Sequence, residues 1–109
     1  MAVDERRSSP RRRTRLSVAV AWGEPPEIVR GAFKDLSEYG GKLLLDEKVS
    51  LPDQFDVIQL TEGLLHEARV VWRAEPFVGV AFDRSVKLKG STEPRLMKRA
   101  QLWIRLLNR

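Results

Sequence analysis

The chain is 109 residues long, with no cysteine, one histidine and 20 Lys+Arg against 15 Asp+Glu, for a net charge of +5. That length holds one modest core, and the missing thiols exclude a disulfide framework, thiol chemistry and, with a lone histidine, a zinc or iron site. No apolar run approaches the ~20 residues of a membrane span, and the basic N-terminus lacks the apolar stretch of a signal peptide, so a cytoplasmic location is expected.

The charge is unevenly placed. Residues 1–15 carry six arginines against Asp4 and Glu5, and residues 93–109 carry five basic side chains against Glu93, so each end is net +4. The middle, residues 16–92, has nine basic and twelve acidic side chains and is net −3. Positive potential at the ends suits an arm that captures an anion. Residues 1–15 are almost devoid of apolar side chains and are expected to be a flexible arm, ordered only by a ligand. In an extended chain, residues an even number apart share a face, so Arg7, Arg11, Arg13 and Arg15 can point one way, with Pro10 stiffening the segment. Guanidinium forks match phosphate and the O6/N7 edge of guanine, and they stack on bases. Composition alone favours a solvated basic tail.

Leu16–Trp22 alternates, with Leu16, Val18, Val20 and Trp22 on one face, and predicts a half-buried strand. A loop with Pro25-Pro26 leads to a second strand, Ile28–Lys34, in which Val29, Gly31 and Phe33 share a face. A turn over Asp35–Gly40 and a third strand, Gly41–Leu45, follow. After the polar loop Asp46–Asp53, Gln54–Leu60 is a fourth strand with weaker alternation. Leu64–Glu75 is a fifth, with Ala68, Val70 and Trp72 on one side, and Phe77–Asp83 is a sixth, with Val78, Val80 and Phe82 inward. Six short strands punctuated by Gly and Pro predict an antiparallel barrel or sandwich. Arg84–Gly90 reads as a basic linker. A last helix, capped by Ser91 or Thr92 with Pro94 in its first turn, would lay Leu96, Ala100, Trp103 and Leu107 on the barrel. It is also basic and amphipathic, which suits a membrane surface or a partner.

The turn carries the chemistry. Asp35 and Ser37 can accept hydrogen bonds from nearby backbone N–H groups, which favours a tight turn. Gly40 and Gly41 allow positive φ and close approach of a ligand to the main chain. A carboxylate, a hydroxyl and exposed amides would then form a corner for phosphate oxygens. Taken alone, the pattern favours a plain hairpin turn.

The combination is more specific. An Arg-x-x-x-Arg arm, a first strand, then Asp-x-Ser-x-x-Gly between two strands resembles the PilZ domain family. Ala68-Arg69-Val70-Val71-Trp72-Arg73 followed by Val78-Gly79-Val80-Ala81-Phe82 is similar to that family's last two strands, and the likeness covers roughly residues 6–83. The resemblance implies an all-β fold, a six-stranded antiparallel β-barrel of the split-barrel type with a C-terminal α-helix. Along the chain this gives an arm at 1–15, the barrel at 16–90 and the helix at 91–109. It implies a receptor for the bacterial second messenger cyclic di-GMP, gripped between Arg7 and Arg11 of the arm, with Arg12 as a helper, and Asp35, Ser37 and Gly40 of the turn. The arm's arginines leave the register open, so Arg11 and Arg15 are the alternative pair. No metal, cofactor or catalytic residue is implied. Ordering of the arm would alter the surface that a downstream protein partner meets.

Two other readings compete. A basic arm can track a nucleic-acid backbone, although the body is net acidic and lacks the aromatic stripe of single-strand binders, so no specific nucleic acid is expected. A barrel of the same fold could act purely as a protein adaptor, although a bare fold does not demand Asp35, Ser37 and Gly40 together. An enzyme using Ser37 and His66 is the weakest reading, because nothing in the sequence brings them together.

Overall fold

The computed structural model describes residues 12–108, with side chains from residue 14. Its elements are β1 (Arg12–Trp22), β2 (Glu27–Leu36), β3 (Gly40–Leu45), β4 (Gln54–Gln59), β5 (Leu64–Ala74), β6 (Phe77–Lys87) and α1 (Pro94–Leu107). The strands close into a barrel in the order β1-β2-β3-β6-β5-β4, with every neighbouring pair antiparallel. The predicted six-stranded antiparallel barrel with a C-terminal helix is the fold.

Three strands are longer than their sequence pattern indicates, one of them β2, which runs on through Asp35 to Leu36 and so takes Asp35 out of the predicted turn. β1 starts at Arg12 rather than Leu16, because Arg12 and Arg13 continue the ladder opposite Leu36 and Asp35, across an irregularity before Leu16. The flexible arm expected at 1–15 thus loses its last residues to the sheet, and residues 1–11 lie outside the described part. β6 runs on to Lys87, where a linker was expected from Arg84, because Arg84–Lys87 pair with Leu64–Glu67. Charged outward side chains hid that extension.

Val18, Val20, Val29, Phe33, Leu43, Phe55, Val57 and Val80 fill the barrel interior. A second apolar layer lies outside the barrel, where Ala19, Ala21, Ile58, Leu60 and Leu65 meet Leu96, Leu102 and Leu106 of α1. β1 and β4 are therefore covered on both faces, and the weak alternation of β4 follows from that double burial.

Three expectations are corrected. α1 buries Leu96, Arg99, Leu102 and Leu106, with Ala100 and Trp103 partly buried against the same layer, and leaves Leu107 of the expected face exposed. The rotation follows from Arg99, whose Nε donates to Asp56 Oδ2 at 2.8 Å in the interface. The N-cap is Glu93, which makes no side-chain cap bond, rather than Ser91 or Thr92; its carboxylate is taken by Arg84. Trp72 is outside the barrel and 40% exposed. The cause is a bulge: Val70 pairs with Val80 but Trp72 pairs with Gly79, so one extra residue reverses the phase of the strand. Phe82 keeps its inward position, packed edge-to-face on Phe33 with ring centroids 5.8 Å apart.

Asp56 docks the helix. It is 6% exposed and accepts from Arg95 Nη1 at 2.6 Å and Nη2 at 2.9 Å, besides Arg99. Arg95 also donates to Glu67 at 2.9 Å. At the other end of the helix, Arg30 Nη2 donates to the Leu106 carbonyl at 3.3 Å. Removing one partner of a buried ion pair leaves the other charge stranded. Asp56→Ala is therefore expected to cost about 3–5 kcal/mol in urea unfolding, whereas Lys98→Ala, which breaks only an exposed pair with Glu24, should stay within about 1 kcal/mol.

His66 is buried inside the barrel, stacked on Phe82 with centroids 4.0 Å apart. Gln59 Nε2 donates to Glu62 Oε1 at 3.3 Å, which turns Gln59 Oε1 toward the imidazole. His66 Nε2–H then donates to that oxygen at 2.5 Å, and Nδ1 accepts from Ser85 Oγ at 2.7 Å. Loss of hydration lowers the pKa of the ring to about 4. The unfolded chain, titrating near 6.5, binds the proton that the folded chain refuses. Stability should therefore fall as pH drops from about 6.5 toward 4, by about 3 kcal/mol from this group. Melts of the wild type and His66→Gln across that range should converge at low pH; parallel curves would refute the neutral buried ring.

Candidate functional site

The turn between β2 and β3 is closed by its own side chain. Ser37 N donates to the Gly40 carbonyl at 2.8 Å, Ser37 Oγ donates to the same oxygen at 3.3 Å, and Tyr39 N donates to Ser37 Oγ at 3.3 Å. The amides of Ser37 and Tyr39 are thus used within the turn. Neither Gly40 nor Gly41 has positive φ, which corrects the reason assigned to them. Gly40 is buried against β6, and a β-carbon there would collide with the Val80 carbonyl. The glycine is required by the approach of two strands.

Asp35 faces a different environment. It pairs across the sheet with Lys42, whose Nζ lies 3.7 Å from Asp35 Oδ2. The register extends this pair into a row around the barrel. Arg13 is opposite Asp35, Asp35 opposite Lys42, Lys42 opposite Gly79 and Gly79 opposite Trp72. Directly opposed residues share a face. From Asp35 to Trp72 the row therefore crosses β2, β3, β6 and β5, and at about 4.8 Å per strand it spans roughly 14 Å. Lys42 Nζ sits 5.1 Å from the centroid of the Phe77 ring. Trp72 lies across Gly79, where a β-carbon would fall inside the indole. The row thus presents a carboxylate, an ammonium and an aromatic surface side by side.

The sequence-predicted residues divide clearly. Asp35, Ser37 and Gly40 come together at this corner. Arg12 begins β1 opposite Leu36, beside the turn. Arg15 is exposed on β1, next to the irregularity in the β1–β2 ladder. Arg7 and Arg11 lie outside the described residues. His66 is inside the barrel, so it is not a partner of Ser37. Sequence reasoning missed Lys42 and Trp72. Trp72 was assigned to the core by its alternation with Ala68 and Val70, and the only signal against that was Gly79 across the ladder, too small to be a core partner.

A cavity of about 550 Å³ lies at the other end of β3, against Leu45, Val49, Leu51 and Phe77. Its charged rim is internally matched, with Lys48 Nζ 3.6 Å from Glu75 Oε1 and Arg73 Nη2 3.0 Å from Asp53 Oδ1. The outer row, with its mixed chemistry beside the start of β1, is the stronger candidate. No group of three or more metal-binding side chains comes together among the described residues, and no helix among them is long and apolar enough to cross a membrane.

The chain belongs to the PilZ domain family, whose model matches residues 5–91. Its structure is similar to a crystal structure of the PilZ domain of CeSA from a cellulose-synthesizing bacterium, with a TM-score of 0.53, 20% identity, and coverage of 90% of this chain and 94% of that one. At that identity the likeness speaks for the fold. No curated protein matches the sequence.

The turn geometry separates two jobs. Ser37→Ala removes two hydrogen bonds at the turn and should cost about 1–2 kcal/mol in unfolding experiments. Asp35→Ala breaks the 3.7 Å pair with the partly exposed Lys42, a contact of up to about 1 kcal/mol.

Proposed function

We propose that this PilZ domain is a receptor for cyclic di-GMP, holding the dinucleotide between its arginine arm and the outer row on β2, β3, β6 and β5. The observation that carries the reading is the row itself, in which the start of β1 is stitched beside Asp35 and leads across Lys42 to Trp72. The ligand offers two phosphates and two guanines. Arginine forks from Arg7, Arg11, Arg12 or Arg15 match phosphate oxygens and the O6/N7 edge. The Asp35 carboxylate accepts from the N1/N2 donor edge of a guanine. Lys42, now drawn to Asp35, supplies a second cation for phosphate. Trp72 gives a base a face to stack on. Ser37 and Gly40 set the shape of the corner, and Ser37 Oγ retains acceptor capacity toward a ligand.

Binding would order the arm, at a cost of a few kcal/mol in chain entropy, and the ordered arm is the signal that a downstream protein would read. The reading involves no turnover of the nucleotide. The single histidine of the chain is enclosed in the barrel, so no imidazole faces the row to act as a general base.

Isothermal titration with cyclic di-GMP tests this. Saturable binding is expected, weakened about tenfold or more by Asp35→Ala and by Trp72→Ala. Comparison of Arg7→Ala with Arg15→Ala identifies the working pair with Arg11. No heat with the nucleotide would overturn the receptor reading in favour of an adaptor. Duplex DNA binding with a steep salt slope, in place of nucleotide binding, would make the arm a nucleic-acid contact.

A further inference from the structure

The cavity at the Leu45 end of β3 takes no part in the proposed cyclic di-GMP site. The segment between β3 and β4 walls it on one side, and the turn from β5 to β6 walls it on the other. Leu45, Val49, Leu51, Phe77 and Val78 make its floor. Leu51 and Val78 are buried, and Leu45 and Val49 pack on the same barrel core. The segment is tied down at three points. Asp46 N donates to the Arg30 carbonyl at 2.8 Å, and Val70 N donates to the Asp53 carbonyl at 2.9 Å. Between them, Arg73 Nη1 donates to the Leu51 carbonyl at 3.2 Å. The wall is thus built without a ligand, and its volume of about 550 Å³ falls in the range of about 300–1,000 Å³ typical of small-molecule sites. The mouth is charged unequally. Lys48 and Arg73 each already face a carboxylate, Glu75 at 3.6 Å and Asp53 at 3.0 Å. Asp46 and Glu47 line the same mouth, are exposed, and have no side-chain partner among the described residues.

We infer that the cavity binds a small amphipathic cation, an aryl or branched alkyl body joined by a short chain to an ammonium group. The body displaces water from the apolar floor. The floor's side chains offer no donor or acceptor, so a polar group pushed to the bottom would lose its hydration without replacement. The charged head therefore stays at the mouth. There the free charges are the carboxylates of Asp46 and Glu47, which attract an ammonium and repel an anion. The same charges disfavour the dinucleotide, whose two phosphates are negative, so the cavity and the outer row take different ligands. A free small molecule fits better than an extended peptide. The barrel is closed, so no strand edge beside the cavity is open for a peptide to join.

Three probes that share a body and differ in the head test this: phenylbutylamine, phenylbutanol and phenylbutanoate. Each is titrated into the isotope-labelled whole chain at neutral pH, and the backbone amide resonances are followed by NMR. Saturable shifts are expected in the stretches that line the cavity, 45–51 and 73–78. The amine should bind at least about threefold more tightly than the alcohol, and the carboxylate most weakly. Added salt should narrow that gap, because the carboxylates are exposed. Asp46→Asn combined with Glu47→Gln removes both charges and leaves the floor untouched. It should bring the amine down to the affinity of the alcohol without weakening the alcohol. Equal affinity of amine and alcohol for the wild type, tighter binding of the carboxylate, or an amine preference that survives the double variant would each overturn the inference. So would shifts that do not saturate, or that fall outside the two stretches.

Discussion

The pairing of β1 with both β2 and β4 is the constraint on which the rest of the molecule depends. It closes the sheet and removes its exposed edges. Closure turns Val18 and Val20 inward, and it also brings Ala19 and Ala21 of β1 beside Ile58 of β4 on the outside. That outer patch is apolar and has to be covered, which fixes where α1 lies. The N-terminal end of the same strand continues along β2 and brings the Arg13 backbone opposite Asp35. One strand thus connects the core, the helix and the candidate site.

The two flanks of the barrel use charge in opposite ways. Under α1, Asp56 takes up the charges of Arg95 and Arg99, and Glu67 and Glu93 hold the others nearby. These groups satisfy one another, and no buried side-chain polar atom of the described residues lacks a partner. Buried ion pairs of this kind add little net stability over an apolar contact but strongly penalise a misplaced partner. They fix the rotation of the helix. On the row from Asp35 to Trp72, the Asp35–Lys42 pair is 3.7 Å apart and partly exposed, and on the proposed reading the ligand takes up both groups.

Much of the architecture was legible in the sequence because alternation reports burial of one face directly. Val29 and Phe33, or Val78 and Val80, could hardly occupy any other face. The pattern fails where burial is not one-sided or the ladder is not regular. β4 is covered on both faces, so its alternation is weak. Arg99 is buried by a partner 43 residues earlier in the chain, which no local pattern can display. The bulge after Val70 inverts the phase of β5, and Trp72 goes to the surface against its apparent register. Asp35, Ser37 and Gly40 were found as a motif, but the reasons differ from those their chemistry suggested. Gly40 answers to a neighbouring strand and Ser37 to its own turn, which leaves Asp35 as the one of the three whose functional group is turned to the row.

The exposure of Trp72 needs a reason, because an indole at the surface forfeits apolar burial that a core position would supply. The bulge that places it there is matched by Gly79 on β6, the position where any side chain would displace the ring. Two local departures from a regular ladder therefore act together: one turns the indole outward and the other gives it a bed. Neither improves the barrel, since a bulge interrupts pairing and a strand glycine packs poorly. What the pair produces is a supported aromatic surface in line with a carboxylate and an ammonium. On the proposed reading, that surface is where a guanine base of the dinucleotide would stack.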